Sequence, residues 1–331
     1  MKIPPKYELT PKSVYYLTQI EANKAIFENT KIPKKVIENL TRQSLLKSSL
    51  YSAKIEGNRL ILEEAENLQK LNPHLQERIE IENILSAFSY IRGRGSKIRV
   101  DLAFILKLHS LVMKALRPNS EIGKIRKEPT AIFNQAGIAV YVAPPPSALI
   151  NLLNDLLTFI NQESDVLTLV KASLSHLLFE KIHPFEDGNG RVGRLLMQTI
   201  LLKGNYHFNY LLSFEEILNN KKGEYYDLLD RNQTSLFIEF MLEIMLEKLE
   251  ELKKDILSKT NFTEEDTLLP RRREILEIVR DHTEISLSSI QRRFLKVPAR
   301  SLRYDLKYLE KKGYIFKIGS TRGALYRAKL F

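Results

Sequence analysis

The stretch HPFEDGNGRVGR, from His183 to Arg194, concentrates most of the side-chain types that polar catalysis uses. His183 is the group there that titrates near neutrality without perturbation, so it can take a proton from a hydroxyl. Asp187 offers a hard carboxylate oxygen, the kind that holds Mg²⁺ together with phosphate oxygens. Gly188 and Gly190 let the backbone come close to an anion. Arg191 and Arg194 stand one helical turn apart and can reach over the same anion. A base, a metal carboxylate and an anion cradle are the equipment for attack of a hydroxyl on a nucleotide phosphate.

Such a loop needs a helix on either side. Residues 166–182 read as an apolar, amphipathic helix that Pro184, Gly188 and Gly190 bring to a stop. A second apolar run, VGRLLMQTILL, begins directly after Arg191. The chemistry therefore sits at a helix N-terminus, where free N–H groups and the dipole favour an anion. The same periodicity marks helices over 33–55, 75–92, 99–116, 146–161, 190–204 and 233–258, punctuated by Pro33, Pro118 and Pro144–Pro146. Thr130–Pro146 departs from it. That segment reads as a β-hairpin, with strands Thr130–Phe133 and Ile138–Val142 about a turn at Asn134–Gly137. The glycine-containing RGRGSKIR at Arg92–Arg99 lacks phosphate-loop spacing and is read as a basic interhelical loop. His109, His176 and His207 are expected as packed core imidazoles.

Composition removes other chemistries. The chain has no cysteine, which excludes disulfides, zinc–thiolate sites and thiol nucleophiles. His183 and Asp187 have no intact helix between them to form a two-ligand zinc face, and no G-x-S-x-G elbow is present. No window approaches the roughly 20 apolar residues of a membrane span, and the N-terminus lacks the apolar stretch of a signal peptide. The expected location is the cytoplasm.

At the quoted stretch the sequence resembles the Fic family of nucleotide transferases. Their signature, H-P-F-x-D/E-G-N-G-R-x-x-R, is matched at every defined position from His183 to Arg194. The resemblance extends over roughly residues 40–235 and implies transfer of AMP from ATP to a Ser, Thr or Tyr hydroxyl of a target protein. By that resemblance His183 is the catalytic base and Asp187 holds Mg²⁺. Gly188, Asn189, Gly190, Arg191, Val192, Gly193 and Arg194 bind the ATP phosphates, and Phe185 anchors the loop in the core. Asn220 and Tyr226 resemble the family's nucleoside wall, although Tyr225 and Tyr226 also fit a core role. The hairpin over 130–142 corresponds to a flap that aligns a target protein by strand addition, with an ordinary surface hairpin as the alternative. SAKIEG, Ser52–Gly57, ends an apolar helix and matches the family's inhibitory pattern. Ser52 and Glu56 share a helix face one turn apart, and the resemblance makes Glu56 the partner of Arg194. Gly190 argues against the reversed nucleotide of phosphate-transferring relatives. Transfer of UMP or phosphocholine stays open.

The charge of the chain is unevenly distributed. From Pro270 onward lie 16 of the 51 Lys and Arg but only 6 of the 40 Asp and Glu. There the pattern is three helices, RRREILEIVRDH, SLSSIQRRFL and ARSLRYDLKYLEKKG, then a hairpin turning at Gly319–Gly323. This order resembles a winged helix, which lays its third helix in the major groove. Arg300, Arg303, Lys307, Lys311 and Arg322 are placed to meet phosphates. DNA is the favoured partner of 270–331, with protein docking open.

The expectation is a mainly α protein: a Fic helical bundle with a β-hairpin flap, plus a C-terminal winged-helix domain. Its regions are 1–95 with the inhibitory motif, 96–258 as catalytic core and 259–331 as winged helix, with a boundary in the polar stretch Ser258–Asp266. The expected activity is that of a protein adenylyltransferase using ATP and Mg²⁺ on target proteins or itself, with a homodimer open. The rival is a DNA-binding regulator whose pocket senses a nucleotide without transfer. An intact His183 favours the enzyme, because sensing needs the cradle but not the base.

Overall fold

The computed structural model describes all residues except 134–138, 164, 231–232, 258–263, 320–322 and 330–331. The described residues form two compact units: Met1–Thr30 with Thr41–Ser258, and Lys31–Leu40 with Lys259–Phe331.

The first unit is helical apart from one hairpin. In chain order its helices are α1 (Pro11–Asn29), α2 (Lys34–Ile55, of which 41–55 belong here), α3 (Leu62–Ala65), α4 (Gln76–Arg94) and α5 (Leu102–Val112). The hairpin strands β1 (Ala131–Phe133) and β2 (Ala139–Val142) follow, then α6 (Pro146–Asn161), α7 (Thr168–Ile182), α8 (Asn189–Lys203), α9 (Phe214–Asn220), α10 (Lys222–Asp230) and α11 (Thr234–Leu257). The centre is the pair α7 and α8, backed by α6 and α11 on one side and by α5 and α4 on the other. Sequence periodicity predicts one apolar face for α7, but its burial runs all round, from Val170 and Ala172 to Leu178 and Ile182. A helix enclosed on every side sits in the middle of a bundle, and that is where the reactive loop begins.

α1 has no counterpart among the helices expected from periodicity. Thr10 caps it by accepting the Ser13 N–H at 3.0 Å, and Pro11 starts it. The helix lies on α11, where Asn23 donates to Glu250 at 2.6 Å and Thr10 bonds Glu239. Leu17 and Ile20 are its buried apolar side chains, and Phe27 stacks on Phe208, too little to raise a periodic signal.

β1 and β2 pair antiparallel, Ala131 opposite Val142, with a register irregularity between Ile132 and Phe133. The expected turn at Asn134–Gly137, and Ile138, lie outside the described residues. Among the described residues, no helix is long and apolar enough to cross a membrane.

The second unit contains α12 (Pro270–Arg280), β3 (Ile285–Ser286), α13 (Leu287–Gln291), α14 (Ala299–Lys311), β4 (Ile315–Ile318) and β5 (Leu325–Ala328). Its strands form one antiparallel sheet in the order β3-β5-β4. Ile275, Val279, Ile290, Leu302, Leu306 and Ile315 close its core. Asp305 is buried on α14 and takes Arg271 at 2.6 Å and Arg272 at 3.0 Å, so its charge is compensated within the unit. Arg322 and most of the expected Gly319–Gly323 turn lie outside the described residues.

Candidate active site

His183 caps the C-terminus of α7 in the left-handed conformation, φ 48° and ψ 60°, with its N–H bonded to Phe179 O. Histidine tolerates this region better than most residues. The turn redirects the chain so that Phe185 plunges into the core, where its ring stacks on His109 with centroids 3.8 Å apart. Asn189 then closes the loop. Its Nδ2 donates to Phe185 O at 2.8 Å, and its Oδ1 accepts the Phe185 N–H at 2.9 Å. The side chain of Asn189 is therefore spent on the loop, and what it can offer an anion is backbone. Gly188 precedes α8 with φ 81°, and a Cβ there would meet Met113 Sδ at 2.6 Å. Conformation and space both require glycine.

His109 holds the loop from beneath. Its Nδ1 accepts the Gly123 N–H at 2.8 Å, which leaves Nε2–H to donate to Asp187 O at 3.1 Å. Burial pushes its pKa down to about 4, so the ring is neutral near pH 7. The core role expected for His109 holds, with loop support added.

A cavity of about 210 Å³ opens above this loop, lined by His183, Asp187, Gly188, Asn189, Gly190 and Arg194 among others. The same wall contains Glu56, Glu180, Tyr141, Tyr225 and Tyr226. His183 Nδ1 lies 3.2 Å from Glu180 O. A carbonyl only accepts, so Nδ1 carries the proton and Nε2 is the free base. Burial, countered in part by the Glu180 carbonyl, lowers the pKa of His183 from its ordinary value. The imidazole is thus held in the form that can accept a proton.

Asp187 is half-exposed at the cavity edge. Its Oδ1 accepts from Gly188 N–H at 2.6 Å and Arg191 Nη2 at 3.0 Å, while Oδ2 faces Arg117 Nε at 3.6 Å. No cluster of three or more metal-binding side chains occurs among the described residues. One accessible carboxylate fits Mg²⁺ in the manner in which that ion takes its other ligands from phosphates and water.

The two arginines part company. Arg191 is buried, reaches Asp187 and does not line the cavity, while its Nε and Nη1 have no hydrogen-bond partner. Arg194 does line the cavity. Its Nε donates to Ser52 Oγ at 2.9 Å, and its Nη2 donates to Ser52 O at 2.9 Å and to Glu56 Oε1 at 2.8 Å. Burial works against the charge of Arg194, yet Glu56 beside it raises its pKa above the ordinary value. Gly190 permits this contact, because a Cβ there would lie 2.3 Å from Glu56 Oε1. Val192 is buried, and Gly193 backs onto Glu180 and His176, so neither reaches the cavity.

Tyr226 lines the cavity and donates to Ile55 O at 3.3 Å, which ties the end of α2 to that wall. Asn220 is exposed at the end of α9 and does not line the cavity. Tyr225 is core and wall at once: its OH lies 2.8 Å from His176 Nε2.

Glu180, Tyr141 and Arg126 are not among the site residues expected from the sequence. Glu180 is buried behind Gly193, and desolvation pushes its pKa up to about 8. His176 Nδ1 lies 3.8 Å from Glu180 Oε1, within ion-pair range. Burial also holds the ring near pKa 3, so both partners are neutral near pH 7 and the contact is no ion pair. Tyr141 donates from the hairpin to Lys181 O at 2.8 Å. Arg126 is buried among carbonyls beside His183. The i,i+4 spacing of His176 and Glu180 could have flagged that pair.

A cavity of this kind, at a helix N-terminus inside an α bundle, is suited to an anion. Residues 99–201 match the sequence profile of the Fic/DOC family. The protein adenylyltransferase Fic of Drosophila willistoni is 27% identical over 198 residues, which are 57% of this chain and 38% of that protein. The Drosophila melanogaster protein of the same name is 32% identical over 164 residues, 47% of this chain and 32% of its own. The chain thus spans about a third of the length of the curated relatives it matches. A Fic family protein from Desulfovibrio desulfuricans G20 has a similar fold over 98% of each chain, with TM-score 0.67 and 22% identity. Fic-1 from C. elegans covers 73% of each chain with TM-score 0.59 and 19% identity. The fold is that of Fic proteins.

Proposed function

We propose that this chain transfers AMP from ATP to a Ser, Thr or Tyr hydroxyl of a target protein or of itself, and that Glu56 restrains it. One observation carries the reading: Arg194, at the mouth of the helix that should receive the phosphates, is occupied by Glu56 at 2.8 Å. His183 Nε2 takes the proton of the attacking hydroxyl as its oxygen bonds to the α-phosphorus; the bond from that phosphorus to the β-phosphate oxygen breaks, and pyrophosphate leaves. The backbone N–H groups of Gly188, Asn189 and Gly190 receive phosphate oxygens, and Arg194 is diverted from the outer phosphate for as long as Glu56 holds it. Asp187 would hold Mg²⁺, which supplies charge neutralisation on the phosphates. The hairpin over 130–142 would align the target segment beside His183. The test is α-labelled ATP with Mg²⁺ and purified protein, alone and in cell lysate. Nucleotide bound without covalent label, even after Glu56→Gly, would turn the reading into that of a sensor.

We also infer that the second unit is a winged helix that binds duplex DNA. Arg300, Arg303, Lys307 and Lys311 form an exposed face of α14 and have no acidic partner among the described residues. Full-length protein should bind a labelled duplex in low salt, with affinity falling steeply as salt rises. No change in fluorescence anisotropy near 50 mM salt would move the unit to protein docking.

A further inference from the structure

Arg126 is 3% exposed and forms no close ion pair among the described residues; the Glu186 carboxylate acts on it only at longer range. A buried cation without a close counter-ion is costly, and it persists only where hydrogen bonds replace its water. Three carbonyls do so here. Nε donates to His183 O at 2.8 Å, one Nη to Glu128 O at 2.8 Å and the other to Pro144 O at 2.6 Å. The backbone N–H of Arg126 adds Pro184 O at 2.9 Å. Because His183 caps α7, the guanidinium also sits at the negative end of that helix dipole.

The three acceptors are not arbitrary. Glu128 precedes β1 and Pro144 follows β2, so they are the two legs of the hairpin, joined directly by Ala143 N–H to Thr130 O at 3.1 Å. The third acceptor is the carbonyl of the base itself. A rigid planar fork thus spans both legs of the hairpin and the backbone of His183. Tyr141 adds a second tie, from β2 to Lys181 O at 2.8 Å.

We propose that Arg126 is a positioning residue: it holds the target-aligning hairpin and the base His183 at one fixed separation, so that a hydroxyl docked on the hairpin meets Nε2. This rests on the AMP-transfer reading above. Near-attack geometry is sensitive to displacements of about 1 Å, so loosening this staple should reduce turnover while nucleotide affinity stays. The positive charge has a separate effect. His183 is faced by Arg126, Glu56 and Asp187, and by the carbonyl of Glu180, and Arg126 is the member of this set that disfavours the imidazolium.

The experiment uses the full chain in the Glu56→Gly background, whose own labelling checks the parent reading. Arg126→Lys keeps the charge and loses the fork; Arg126→Gln loses both. Labelling by Arg126→Lys should fall about 30-fold or more, with calorimetric affinity for ATP within about three-fold and an unmoved acid limb of the pH profile. Arg126→Gln should show the same loss with the acid limb at higher pH. His183 titrated by NMR without nucleotide should show that same difference, which needs no turnover. Unchanged labelling, parallel loss of ATP affinity, or equal His183 titration in both variants overturns the proposal. Should the Arg126 variants not fold, Tyr141→Phe decides: about five-fold slower labelling at unchanged ATP affinity supports the staple, and unchanged labelling overturns it.

Discussion

Two buried guanidinium groups flank the reactive loop, and the chain treats them in opposite ways. Arg126 lies at the C-terminal end of α7, where helix carbonyls and the dipole welcome a cation, and neutral acceptors suffice. Arg194 belongs to the second turn of α8 and points back towards that helix's N-terminus, where the dipole opposes a cation. It needs an anion. Ser52 supplies two oxygens, but the charge is met by Glu56, which comes from a distant part of the sequence and is itself about a third exposed. A cation satisfied by its own backbone is a fixture. One satisfied by a partly exposed carboxylate can change partners, and in the proposed reading a phosphate is the replacement.

Both arginines would serve the transfer for which His183 is the base, so removing His183 tests the shared premise and should have the largest effect. His183→Ala should lower AMP labelling by about a hundred-fold or more, with ATP affinity largely kept. Radiolabel incorporation beside calorimetry reads both, and joint loss would make His183 a structural residue.

Glu56→Gly addresses the exchangeable partner. With Arg194 free for the outer phosphate, labelling should rise about ten-fold or more, and the double change with His183→Ala should be silent. A folded Glu56→Gly protein that labels no faster than wild type would return SAKIEG to an ordinary helix end.

Ser52→Ala sharpens the contrast at lower amplitude. The backbone carbonyl and Glu56 keep their bonds to Arg194, so labelling should rise only about three-fold. A rise equal to that of Glu56→Gly would shift the restraint from charge to the hydroxyl.

The smallest effect concerns the neutral support of the loop. His109 has a folded pKa near 4, below the ordinary histidine value, so the unfolded chain binds the extra proton first as pH falls. The stability this gives is fully present above about pH 6.5 and is lost as pH drops towards 4. Melting temperature should decline over that window, and His109→Gln should show a shallower decline. Parallel profiles would assign the acid sensitivity elsewhere, with His176 next in line.

The reactive loop was legible because its chemistry is contiguous: base, carboxylate, glycines and arginines follow one another, and Pro184 with Gly188 enforces the turn between two apolar runs. The cavity brings His183, Asp187, Gly188, Asn189, Gly190, Arg194, Glu56 and Tyr226 to one place. Asn220 stands apart from it. Arg126 could not be read, because its role depends on three carbonyls from separate segments, and carbonyls leave no mark in a sequence. Glu180 was hidden inside a helix whose all-round burial makes face analysis uninformative. The polar start of α1 masked a helix fixed by its cap and by its packing on α11.

The missing methyl at Gly190 has a consequence for which nucleotide the protein notices. The space that a Cβ would fill is taken by the tip of Glu56, 2.3 Å from that point. In the proposed reading the same volume receives the terminal phosphate, so carboxylate and phosphate exclude each other sterically as well as by charge. A nucleoside diphosphate would end short of this volume and leave Glu56 where it is. The glutamate would then act as a length gauge, penalising ATP and indifferent to ADP, and the ratio of their affinities should shift towards ATP when Glu56 is shortened to glycine. Its restraint would follow the balance of the two nucleotides rather than their total.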